Sequence, residues 1–456
     1  MEPPADQEPT DASLPLPRRD RRGILRPYRE RVSRRIDRLQ ARARELGPGL
    51  ITGAADDDPS GIATYSQAGA AFGYSTLWIA VITLPLMAAV QLMCARIGIV
   101  TRGGLANVLR GHYPRWVLWG ACALLVVGNT VNIAADLGGM AAAAQLLTGL
   151  PASWFVPAFT ALIMGLLVFA SYEKMTRVLK WLSLALFSYV FAAVFARPNV
   201  VAALRGTFTP RLEWNKDYLL MLVAILGTTI SPYLFFWQTS QNAEQDAHWR
   251  GHVKRTERAQ RAVQRELRAA ARDVNTGMLF SNAIMFFIIL TAAATLYRAG
   301  LHEVATAEQA AEALRPLAGR WASLLFSAGI VGTGMLAVPV LAGSAAYAVA
   351  GAASWRAGMD ENVHTAKHFY GVMAVAMAVG TTLSVAHAKP IQLLIWAAVI
   401  NGLLAPPLIL LILAVTNNPA IMGPHRNGRT MNYLGGIAGV LMTGAAAALV
   451  WSWIAF

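Results

Sequence analysis

Apolar residues run through this chain in long stretches that neither alternate as in a strand nor keep to one face of a surface helix. A helix needs roughly 17 to 25 such residues to cross a bilayer. Reading for runs of that length predicts about eleven spans, near 48–72, 76–99, 117–146, 153–171, 178–196, 217–240, 276–297, 321–350, 369–386, 390–415 and 432–455. Inside lipid every backbone polar group has to be satisfied within its own segment, so these spans are helices and not barrel strands. The expected fold class is an all-α integral membrane protein. A basic stretch at about 250–272 mixes Arg and Ala with occasional Glu, a strong helix composition, and is expected to form a cytoplasmic helix joining the sixth and seventh spans.

Composition strengthens this picture. Of 456 residues, 55% are apolar and 14% charged, against about 25% charged in a soluble domain, and the mean hydropathy is +0.44. The net charge of +14, from 39 Lys and Arg against 25 Asp and Glu, fits either nucleic acid or membrane topology, and its placement decides. Twelve arginines fall between Arg18 and Arg44, and further basic residues follow the second span (Arg102, Arg110, Arg115), the fourth (Lys174, Arg177, Lys180) and the sixth (Arg250 to Arg272). Cytoplasmic loops carry such an excess, so the N-terminus is expected inside and the C-terminus outside. The partners implied are the lipid bilayer and its anionic headgroups, not nucleic acid. Residues 1–46 lack the apolar core of a secretory signal and read as a basic, disordered cytoplasmic tail. Cys94 and Cys122 sit in apolar runs without CxxC spacing, which excludes a disulfide framework or zinc site.

Two spans break the apolar pattern. The first carries Asp56-Asp57-Asp58-Pro59-Ser60-Gly61 at its middle, where one Asp alone costs about 3 kcal/mol on insertion scales. Pro removes a backbone donor and Gly tolerates unusual dihedrals, so the helix is expected to unwind here. The sixth repeats the device with Gly227-Thr228-Thr229-Ile230-Ser231-Pro232-Tyr233. Interrupted helices five spans apart are what two inverted five-helix repeats produce, with carbonyls and half-helix ends converging on a cation near the midplane. On that plan residues 47–456 form one transmembrane domain. Repeat one covers about 47–196, repeat two about 217–415, and an extra helix about 432–455. One chain holds both repeats, so a monomer suffices.

The donors at the breaks are oxygens: the Asp58 carboxylate, main-chain carbonyls at Thr228, and the Ser231 hydroxyl, with no Cys, Met or His at either break. Oxygen donors suit Mg²⁺, Ca²⁺ and Mn²⁺. Mg²⁺ keeps several waters around one or two carboxylates, so a pocket of small residues points to a partly hydrated Mg²⁺ first. No cofactor is expected; the cation is cargo. Asp56 and Asp57 are read either as vestibule charges that concentrate cations or as carboxylates partly neutralised by burial, and both rank below Asp58. Asn401, before Gly402 in the tenth span, reads equally as a further oxygen ligand or as an interhelical hydrogen bond. Tyr65, Gln67, Asn129 and Asn132 face the bundle, with nothing to place them on the ion.

The stretch Gly47 to Gln91, with GPGLITGAADDDPSGIATYSQAGAAFGYSTLW at its head, resembles the first span of the NRAMP family of divalent metal transporters, with its Asp-Pro-Gly-Asn signature. The likeness continues through Ala135-Asp136-Leu137 and Gly227 to Gln238. It implies a LeuT-like fold and metal bound between the first and sixth helices, with alternating access. By the same resemblance Asp58 and the Thr228 carbonyl carry over as ligands. The family's Asn ligand is replaced by Gly61, its Met by Ser231, its two sixth-helix His by Tyr233 and Gln238, and a third-helix acid by Gly139. These departures resemble the magnesium-transporting branch, in which proton coupling is thought absent. Asp136 and Tyr233 remain as positions on a possible proton path. The expected function is therefore uptake of Mg²⁺, with Mn²⁺ also admitted. A proton-coupled Mn²⁺/Fe²⁺ symporter is the nearest alternative, and a Na⁺-coupled transporter or an intramembrane aspartyl protease built on Asp58 and Asp136 are more distant ones. The absence of organelle signals suits a prokaryotic inner membrane.

Overall fold

The computed structural model describes residues 52–53, 55–169, 186–249, 257–386 and 389–455. The tail 1–46, the first part of the predicted fifth span (178–185) and the start of the basic stretch at 250–256 lie outside them.

Proline decides where the first element begins. Pro59 opens α1 (Pro59–Phe72) at a position where the missing N–H costs nothing, and Asp58 just before it is extended. Long uninterrupted helices follow: α2 (Trp78–Thr101), α3 (Arg115–Thr148) and α4 (Ala152–Phe169), then α5 (Phe187–Phe195), the described part of the fifth span. The sixth span is two helices, α6 (Lys216–Thr229) and α7 (Pro232–Trp249), parted at Ile230 and Ser231 by the same proline device. Then come α8 (Glu257–Thr295), α9 (Ala322–Ala353), α10 (Lys367–Ala386), α11 (Pro390–Asn417) and α12 (Arg429–Ala455). Among the described residues nine helical stretches are long and apolar enough to cross a membrane, counting α6 and α7 as one. They match nine of the predicted spans; the other two are the broken first and the partly described fifth.

The helix expected over the basic stretch is present from Glu257 onward and is continuous with the seventh span, since α8 runs unbroken from Glu257 to Thr295. Neither Gly nor Pro occurs between 257 and 276, so nothing stops the helix where its composition turns from charged to apolar.

Burial grades outward. In the most apolar window of each span, 94% of residues are buried for α6–α7 but 17% for α4, whose exposed side chains meet lipid. Exposed tryptophans mark helix ends, with Trp116, Trp154 and Trp214 each more than two-thirds exposed, as in interfacial aromatic belts. The broken helices sit inside: α1 packs on α8, α11 and α6, while α3 lies against α9, α10 and α11. Glycine permits the closest crossing. A Cβ at Gly227 on α6 would run into the Ala398 carbonyl and the Gly402 backbone on α11, and one at Gly402 into the Val223 carbonyl.

Candidate functional site

Asp58 is where the first span changes direction. Its backbone is extended (φ −69°, ψ 170°), and its side chain caps α1, Oδ1 accepting from the Gly61 N–H at 2.7 Å. The Ser60 hydroxyl donates to the same oxygen at 2.7 Å, and the Asn132 amide, reaching from α3, donates to Oδ2 at 2.9 Å. Three donors and the positive end of a helix dipole thus hold one buried carboxylate in a single orientation.

At the sixth break α6 ends at Ile230 (φ −112°, ψ 66°). The Ser231 hydroxyl turns back to donate to the carbonyls of Thr228 at 2.7 Å and Gly227 at 3.2 Å, satisfying groups that the helix end leaves open. The two donors expected here are therefore bonded to each other. The Thr228 Oγ1, by contrast, is buried without a hydrogen-bond partner. The breaks meet directly: the Tyr233 hydroxyl donates to the Ala55 carbonyl at 2.8 Å, and Ser344 of α9 donates to the Tyr233 carbonyl at 2.7 Å. Gly61 brings them close, since a Cβ there would stand 3.0 Å from Thr228 Oγ1 and 3.5 Å from Asp58 Oδ1.

The remaining predicted residues divide into two groups. Asp136 is fully buried on α3, near enough to Asp58 and the Ser60 N–H to interact with both, yet neither of its oxygens completes a hydrogen bond. Asp56 and Asp57 are buried rather than lining an open entry; both face the Ser281 hydroxyl of α8, at 2.7 and 3.2 Å, and each keeps one oxygen unpartnered. A single hydroxyl proton serves only one of them at a time. Asn401 has its Oδ1 beside Gly128 of α3 and its Nδ2 unpartnered. Of the other polar residues, Tyr65 approaches Thr229 Oγ1 at 3.4 Å, Gln67 binds the 302–304 backbone, and Asn129 donates to the Leu341 carbonyl. Asn132 and Tyr65 turn to the site, the Tyr65 ring standing 3.3 Å from where a Cβ at Gly61 would be, and so does Ser281, which the sequence did not single out. One signal was present: Asn132 and Asp136 are four apart and so share a helix face.

Four aspartates are buried around two helix breaks, and among the described residues no Lys or Arg forms an ion pair with them. Uncompensated charge at membrane depth is costly, and such carboxylates are neutralised by a bound cation or by a proton. Among the described residues no three His, Cys, Asp or Glu side chains converge to hold a metal by themselves.

A helical membrane bundle with two interrupted helices meeting at a buried carboxylate has the architecture of a LeuT-like secondary transporter. The chain belongs to the Nramp family, described as natural resistance-associated macrophage protein-like, whose model matches residues 49–452. It is 26% identical over 405 residues to a divalent metal cation transporter MntH of Pectobacterium carotovorum, covering 87% of this chain and 91% of that one. To the protein of the same description from Yersinia enterocolitica it is 30% identical over 318 residues, covering 67% and 71%. In structure it is similar to the Eremococcus coleocola manganese transporter, with a TM-score of 0.72 at 19% identity, covering 90% of this chain and 86% of that one. A structure of Mhp1, a nucleobase-cation-symport-1 family transporter, superposes with a TM-score of 0.50 at 13% identity, covering 90% and 92%. These relatives are transporters and not enzymes, so the protease alternative falls.

Proposed function

We propose that this protein is a divalent cation uptake transporter that carries Mg²⁺ in preference, admits Mn²⁺, and moves the partly hydrated ion between the broken first and sixth helices without coupling to protons. The observation that carries the reading is the donor set: two helix breaks meet at Asp58, and no Cys, Met or His stands at either. Hard oxygen donors favour Mg²⁺, and the absence of imidazole leaves no proton acceptor at Tyr233 or Gln238. Asp58, Thr228, Ser231 and Gly61 form the ion's immediate surroundings with Asn401 as a further oxygen ligand, and Asp56, Asp57, Asp136 and Tyr233 set the local field. The family's bacterial relatives support an inner-membrane location; the cytoplasmic placement of the N-terminus rests on the arginines between Arg18 and Arg44.

A proton-coupled Mn²⁺/Fe²⁺ symporter is the second reading. It is favoured by the relatives described as manganese or divalent metal transporters and by Asp136, a buried carboxylate without a full hydrogen bond. Proteoliposomes under an inside-negative potential separate the two, with Mg²⁺, Mn²⁺ and internal pH read in parallel. Mg²⁺ entry without acidification, reduced to the empty-liposome rate by Asp58→Ala, is the expected result. Mn²⁺ entry with acidification and no Mg²⁺ entry would establish the symporter instead.

A further inference from the structure

Asn132 occupies an unusual position. Its amide nitrogen is 2.9 Å from Asp58 Oδ2, and its carbonyl oxygen is fully buried without a donor. The orientation follows from chemistry, because an ionised carboxylate only accepts and so the amide must present its N–H. Across the break stands a second unpartnered oxygen, Thr228 Oγ1, in the space that Gly61 leaves open beside Asp58 Oδ1. Two buried oxygens without donors flank a carboxylate that lacks a base.

Resting on the transport reading above, we infer that Asn132 is a direct ligand of the transported ion: its side chain rotates half a turn about χ2 as the cation arrives, replacing N–H with Oδ1 toward Asp58. The rotation exchanges two atoms at nearly the same positions and needs no backbone movement. The metal-free chain then has an amide N–H compensating Asp58, and the loaded chain has an ion bridging two oxygens. The 2.9 Å between Asn132 Nδ2 and Asp58 Oδ2 is an ordinary amide–carboxylate hydrogen-bond length. Once the amide has turned, a bridging ion sets the spacing of the two oxygens, about 2.9 Å for octahedral Mg²⁺ and about 3.3–3.7 Å for Ca²⁺, so Mg²⁺ needs the smaller displacement of the two side chains.

Calorimetric titration of the purified full chain with MgCl₂ and CaCl₂ tests this. Asn132→Ala is expected to weaken Mg²⁺ binding by at least the ten- to hundredfold that loss of an orienting partner alone gives and, because a ligand is lost, to narrow the preference for Mg²⁺ over Ca²⁺. Asn132→Asp keeps an oxygen toward the ion while placing a second carboxylate against Asp58. It is expected to bind Mg²⁺ at least as tightly as the unmodified chain and to melt at a lower temperature when metal-free. If Asn132→Asp binds as weakly as Asn132→Ala, the amide only orients Asp58 and the ligand role is overturned. Should Asn132→Asp fail to fold, the Ala variant decides, because a residue that only orients Asp58 leaves the Mg²⁺ to Ca²⁺ ratio unchanged. A titration in which Asp58→Ala abolishes binding but Asn132→Ala does not change it overturns the inference and spares the transport reading. Absence of Mg²⁺ binding by the unmodified chain overturns both.

Discussion

Ser231 is the residue whose side chain decides between hard and soft ligand chemistry. Its hydroxyl is bonded to the Thr228 and Gly227 carbonyls, so replacement with Met does two things at once: it frees the Thr228 carbonyl and brings a thioether to the break. Ser231→Met is expected to raise the Mn²⁺ to Mg²⁺ uptake ratio about tenfold, equivalent to about 1.4 kcal/mol of preference, at a stability cost of about 1–3 kcal/mol for the added volume. Competition of the two ions in the same liposomes measures it, and an unchanged ratio would mean that position 231 does not govern selectivity. At this scale Asp58 is readable from the chain alone, since a carboxylate beside Pro inside an apolar run has few other uses. Asn132 is not. Asn129, Asn132 and Asn401 are alike in sequence, and only packing turns Asn129 to the Leu341 carbonyl, Asn132 to Asp58 and Asn401 toward Gly128. Ser281 is hidden for the same reason: nothing in the seventh span announces that two aspartates lie opposite it.

Among the elements, the breaks at Pro59 and Pro232 follow directly from proline's missing N–H, and the long spans follow from length. The join between the basic stretch and α8 does not, because polarity marks where a helix leaves the membrane and says nothing about where it ends. The half-helix α6 also depends on something other than apolar character. It reaches α11 through Gly227 and Gly402, which touch backbone to backbone, and this crossing fixes the height at which Thr228 and Ser231 meet Asp58. Gly227→Ala is expected to push α6 and α11 apart, destabilising the fold by about 1–3 kcal/mol and lowering uptake at every ion concentration. Gly165→Ala on α4, where a Cβ meets nothing within 4 Å, is expected to leave both melting temperature and uptake unchanged. Equal melting temperatures for the two variants would show that the crossing does not control the site.

For the whole molecule, the quantity that separates the two transport readings is the charge moved per cycle. The four aspartates are buried inside the bundle, and on the transport reading each turnover carries its net charge across the full potential. An uncoupled divalent ion gains about 4.6 kcal/mol from an inside-negative 100 mV, which supports uptake without a second gradient. Two charges per cycle give a reversal potential that shifts about 30 mV per tenfold Mg²⁺ gradient and ignores pH. One accompanying proton raises the charge to three, reduces the slope to about 20 mV per decade, and adds an equal shift per pH unit. Voltage-clamped flux in proteoliposomes at two Mg²⁺ gradients and two pH values reads both slopes. The steeper, pH-independent line is expected; the shallower one with a pH shift would make Asp136 the first residue to test as a proton carrier.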